Sequence, residues 1–141
     1  MRSRSPLMLM EQLIMVLVFA LAAALCLKGF ALADQLSRYG ADRDRAVLEA
    51  QSAAEAVKAC GGDLERVAGI CGGSWNGVTW ERSYDEEWRE TPGEPGAYQL
   101  LATPLPSGQR LLGMAEISVR RADGTLLFQI TTAWQEADTN G

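Results

Sequence analysis

Residues 7–27 read LMLMEQLIMVLVFALAAALCL, and only Glu11 and Gln12 in that stretch are polar. With no Gly or Pro inside, the segment reads as one helix. Its 21 residues, at a rise of about 1.5 Å each, span about 30 Å, the thickness of a bilayer's hydrocarbon core. The flanks agree with a membrane span. Arg2, Arg4 and Lys28 against Glu11 leave residues 1–33 at +2, so the remainder carries −7 of the stated net charge of −5. A basic start before an apolar run favours a cytoplasmic N-terminus, which puts the acidic body outside. The alternative is a cleaved secretory signal: Ala31-Leu32-Ala33 fits the small-x-small pattern, with Asp34 as the new terminus. The length of the run and Lys28 favour the uncleaved span.

Setting the span aside, about 110 of the 141 residues are left for soluble structure, room for one small core. The chain has no His, so Ser-His-Asp and Cys-His catalysis and most zinc sites have no basis. Acidic residues outnumber basic ones, 18 to 13, against the basic face a nucleic-acid binder needs. No nucleophile stands with a base, and no phosphate-cradling glycine loop or metal-ligand set is present. The expectation is a protein that is not an enzyme and has no catalytic, cofactor-binding or metal residues and no cofactor.

Glu11 is the informative residue of the span. A carboxylate in an apolar helix costs a few kcal/mol unless it is paired. It either snorkels toward the headgroups or meets a charge supplied by another subunit.

Leu7-Met8-Leu9-Met10-Glu11-Gln12-Leu13-Ile14 resembles the start of type IV pilins and type II secretion pseudopilins. In that family a short basic leader ends at a peptidase site, and Glu is the fifth residue of the mature chain. With Leu7 as first residue, Glu11 is the fifth. The resemblance implies a processing site at Pro6-Leu7, although Pro6 and Leu7 stand where the family usually has Gly followed by Phe or Met. It implies that Glu11 neutralises the new amine, here Leu7's, of a neighbouring subunit during assembly. It further implies one long helix, half in the membrane, followed by a small antiparallel sheet.

Beyond the span the apolar residues fall at Leu32, Leu36, Tyr39, Val47, Ala50, Ala54 and Val57, a narrow stripe at helical spacing. Asp42, Arg45, Glu49, Gln51, Glu55 and Lys58 make the other face. Gly40 could bend the helix, and Ser52-Ala-Ala-Glu55 could open a second one as a capping box. The good helix formers on both sides favour continuity until Gly61-Gly62. Asp63 caps a short helix to about Ile70. Cys60 and Cys71 flank that helix and are read either as small buried thiols or as a candidate disulfide in an oxidising exterior.

After Gly73 the composition turns aromatic and β-branched, with four expected strands at about 75–84, 97–103, 111–121 and 125–134. Asp123-Gly124 between alternating runs is a hairpin signal. As a two-residue loop it places Val119 opposite Phe128, Ile117 opposite Ile130, Ala115 opposite Thr132 and Gly113 opposite Trp134, all on one side. Ser118, Arg120, Gln129 and Thr131 take the other. That two-sidedness suits a sheet laid on the helix stripe, with Val119, Ile117, Phe128 and Ile130 buried. Asp85-Glu86-Glu87 with Glu90 reads as a solvated loop, with Ca²⁺ binding as its alternative. Trp75, Trp80 and Trp88 read as sheet packing, with a stacked carbohydrate site as theirs.

The expected organisation is a basic leader over 1–6, a transmembrane helix over 7–28, an amphipathic continuation over 29–60, and a short helix with an antiparallel sheet over 61–141. The fold class is α+β: a long N-terminal transmembrane and amphipathic helix packed on a small C-terminal sheet, the pilin-like arrangement. The expected role is a minor or accessory subunit of a type IV pilus or type II secretion-like filament. Its partners would be other pilin-like subunits, a membrane assembly platform, the lipid bilayer and, if processed, a prepilin peptidase, with no nucleic acid. The alternative is a single-pass, unprocessed membrane anchor with an extracellular binding domain.

Overall fold

The computed structural model describes residues 4–137. Helix α1 spans Ser5–Ala59 and α2 spans Leu64–Cys71. Five strands follow: β1 Ser74–Trp75, β2 Trp80–Tyr84, β3 Tyr98–Leu105, β4 Leu112–Arg121 and β5 Leu126–Gln135. They form one antiparallel sheet in chain order. The architecture is therefore α+β, one long N-terminal helix and a C-terminal sheet. The chain divides into two units, Met1–Gly40 and Ala41–Gly141.

No break occurs in α1 at Gly40 or Ser52, so neither bends out a second helix. Pro6 lies in its first turn, where the missing N–H costs no helical hydrogen bond. The helix ends as its glycines require. Gly61 and Gly62 take φ of 62° and 83°, a backbone that L side chains avoid. The Gly62 N–H donates to the Val57 carbonyl at 2.9 Å, satisfying one of the last orphan acceptors. Asp63 then caps α2, its carboxylate accepting from the Arg66 N–H at 3.0 Å.

In the Ala41–Gly141 unit the core is built from α1's Ala46, Ala50, Ala53, Ala54 and Val57 together with Leu64, Val67, Trp80, Leu100, Ile117 and Val119. The stripe expected from spacing holds at Ala50, Ala54 and Val57 and differs elsewhere. Ala46 and Ala53 join it, whereas Leu32, Leu36 and Tyr39 are exposed. Small residues on the helix permit close approach of the sheet.

Three expectations about the sheet need correction. There are five strands rather than four, because the run from Trp75 to Tyr84 is interrupted. The Asn76 side-chain oxygen accepts from the Val78 and Thr79 N–H groups at 3.0 and 2.8 Å, a local turn that competes with the ladder. The β4–β5 tip is not a two-residue loop. The Gly124 N–H donates to the Arg121 carbonyl and the Arg121 N–H to Thr125, each at 2.9 Å, with Gly124 at φ 88°. That is a three-residue turn closed by a left-handed Gly. The register nevertheless agrees from Gly113↔Trp134 to Val119↔Phe128. A bulge between Val119 and Arg120, with Leu126 opposite Arg120, leaves Leu127 as the extra residue and restores the pairing.

The reason for the bulge is Leu127. In a regular ladder it would share the outer side with Arg120. Bulged, it is 4% exposed and joins the core, a burial that contributes about 1.5–3 kcal/mol. The third correction concerns Phe128 and Ile130, which are half-buried rather than buried because β5 is the sheet's edge. Arg120 and Gln129 are exposed, as the pattern requires.

Candidate functional site

The first unit consists of α1 up to Gly40, and its side chains are uncovered from Ser5 to Tyr39. Leu7 is 76% exposed and Phe19 77%. The exposed surface is unbroken in its apolar character from Leu13 to Leu27, and Lys28, Asp34 and Arg38 follow it. Among the described residues α1 is the one helix long and apolar enough to cross a membrane. Glu11 is exposed within this surface, and no described residue forms an ion pair with it. Pro6, Leu7 and Glu11 share the first two turns, with the Met8 N–H donating to the Arg4 carbonyl at 3.3 Å. The structure therefore places the candidate processing residues and the candidate assembly carboxylate on one continuous helix.

The second unit carries polar links that spacing did not reveal. Asp42 and Glu49, assigned to the solvated face of the helix, are half-buried and reach the sheet. Asp42 pairs with Arg121 and is hydrogen-bonded by Tyr98. The Tyr84 hydroxyl donates to Glu49 at 3.1 Å, and Arg45 lies 3.0 Å from the same carboxylate. Burial first, then the hydrogen bond and negative charge of Asp42, push the Tyr98 phenol up to about 12. Burial and Glu49 likewise hold the Tyr84 phenol above its ordinary range. These contacts lock α1 to one end of the sheet.

Of the acid cluster, Glu86 and Glu87 are exposed, as a solvated loop requires, and Asp85 and Glu90 make structural hydrogen bonds. The Asp85 carboxylate accepts from the Glu87 and Arg89 N–H groups at 2.9 and 2.8 Å, and Glu90 accepts from Arg82 at 2.8 Å. No group of three or more His, Cys, Asp or Glu side chains that could hold a metal ion occurs among the described residues. Trp80 is fully buried, its indole N–H donating to the Gly72 carbonyl at 2.8 Å. Trp88 stacks on Tyr98 with centroids 4.0 Å apart. Both are packing roles. Cys60 and Cys71 are free, half-buried thiols at the margin of the core, and Cys26 is exposed in the apolar segment.

Comparison with protein-family models, curated proteins and solved structures finds no match to this chain.

Proposed function

We propose that this chain is a pilin-like subunit, minor or accessory, of a type IV pilus or type II secretion-like filament. It would assemble through its N-terminal helix, with its N-terminus cytoplasmic and the Ala41–Gly141 unit outside the membrane. The observation that carries the reading is Glu11, an ionisable group on an otherwise apolar helix surface that the described part of the chain leaves uncovered. The cost of such a group in hydrocarbon implies a use. A neighbour's amine at Leu7 supplies one, since Leu7 and Glu11 lie one turn apart on the same helix and an amine at residue 7 of one subunit can face residue 11 of the next. The α+β layout supports the same reading.

The test joins N-terminal sequencing with fractionation into membrane and sheared-filament pools. Mature protein should begin at Leu7. Glu11→Leu should remain in the membrane and be lost from filaments, and Glu11→Asp should be less impaired because the charge survives on a shorter arm. Filament entry by Glu11→Leu at the wild-type level would refute the pairing. Pro6 favours a second reading, an uncleaved single-pass anchor. A terminus at Met1 with no protein outside the membrane fraction would establish it, and one at Asp34 would instead mean a secreted protein.

A further inference from the structure

The two edges of the sheet are unequal. One ends in β1, only Ser74–Trp75. The other is β5, ten residues from Leu126 to Gln135 without a charged residue or a proline. Long edges of this kind are usually blunted by charge, Pro or cover, and here β5 carries a bulge at Leu127, at one end, with no charge or Pro along it.

The hydrogen-bond phase of β5 follows from its last bond. The Glu136 N–H donates to the Leu111 carbonyl at 3.0 Å, so the Leu111–Glu136 pair is of the hydrogen-bonded kind. Alternation then turns the backbone groups of Phe128, Ile130, Thr132 and Trp134 toward β4. Those of Gln129, Thr131, Ala133 and Gln135 point away from it, and all four residues are exposed. Beside this row lies a groove of about 460 Å³ between β5 and α1. Ala54, Ile130 and Thr132 supply its wall, with Glu55 and Lys58 paired at the rim. The Thr132 hydroxyl is buried and has no hydrogen-bond partner among the described residues.

We propose that the β5 edge is a docking site for an extended, uncharged strand of another polypeptide. The occupant must be polypeptide, because a row of alternating N–H and C=O groups is matched by another backbone. It must be uncharged along its length, because β5 carries no charge and Glu55 and Lys58 at the groove rim are paired with each other. Its residues opposite Ile130 and Thr132 fall on the helix side and fill the groove, which favours β-branched side chains, a threonine opposite Thr132 included. The site uses no residue of α1 before Gln51 and does not rest on the filament reading.

The test uses the full chain in detergent micelles and a blocked eight-residue peptide alternating threonine and valine. Amide exchange at Gln129, Thr131, Ala133 and Gln135 should slow on the order of tenfold at saturating peptide, with Ile130 and Thr132 unchanged. The same peptide N-methylated at alternate residues should give no protection, a control that leaves the protein untouched. Thr131→Pro and Ala133→Lys should each abolish the effect. Equal protection by the N-methylated peptide, no protection at all, or undiminished binding by both variants would overturn the proposal. So would protection without peptide that rises with protein concentration, which would show a second copy on the edge.

Discussion

Alanine behaves in opposite ways along the single helix α1. Ala20, Ala22, Ala23 and Ala24 are exposed, as are the leucines around them, whereas Ala46, Ala50, Ala53 and Ala54 are buried. The most apolar part of the chain has the least protein cover, and the buried part of the helix is made of its smallest side chains. Apolar character therefore reports two different things here. From Leu13 to Leu27 it describes an exposed stretch long and apolar enough to cross a membrane. From Ala41 it describes a fit, in which the helix contributes closeness and the sheet contributes bulk through Trp80, Leu100 and Ile117.

That contrast is broken or sharpened most strongly by truncating the bulk. Trp80→Ala should destabilise the Ala41–Gly141 unit by about 3–5 kcal/mol, read by denaturant unfolding in micelles. Since Phe128 is only half-buried, Phe128→Ala should cost clearly less than Trp80→Ala. A reversal of that order would mean the edge strand is covered. Overfilling comes next. A Cβ on Gly113 would lie 2.2 Å from the Trp134 indole, so Gly113→Ala should cost about 1–3 kcal/mol, partly recovered when Trp134 is shortened to Leu.

Alkali should separate the two regions by a smaller margin. The folded unit binds the Tyr98 proton more tightly than an ordinary phenol, at about 12 against 10. Stability from this group is complete below pH 10 and is lost as pH rises toward 12. The slope of stability over that window should flatten in Tyr98→Phe, followed by phenolate absorbance and unfolding together. The smallest effect belongs to the first unit. Leu17→Ala, at a residue 59% exposed, should change the stability of the second unit by under about 0.5 kcal/mol. A larger change would show that the two units are energetically coupled.

Large-scale order was legible from residue pattern, because the unbroken run from Leu13 to Leu27 is too long for a strand and the alternation on either side of Asp123-Gly124 fits a strand period. Gly113 opposite Trp134 was legible for the same reason. Ala50 and Ala54 were legible as part of the helical stripe, whereas the buried Ala46 and Ala53 were not, since Ala suits either environment and only the approaching sheet decides. Asp42 and Glu49 looked solvated because helical spacing places them beside the stripe; their partners Arg121, Tyr98 and Tyr84 are distant in sequence. The β1–β2 break has a signal, Asn76-Gly77, set between β-formers on either side. For the candidate assembly site, the sequence placed Glu11 and Leu7 on one helix. A single chain has no means of displaying the charge that would meet them.

The tip of the last hairpin has a consequence for how this sheet can change. Its three-residue turn and its bulge cancel, much as an insertion and a deletion restore a reading frame. A regular two-residue turn would leave Val119 opposite Phe128 just as the present one does. A change of turn type at the tip is therefore absorbed within a few residues and does not reach the pairs beneath. Leu127 acts as the selector between the two tips, so Leu127→Thr should convert one into the other without shifting a pair below Val119. Residues 122–125 are accordingly the place where this protein can accept a tag or acquire a longer loop while the sheet below stays in step.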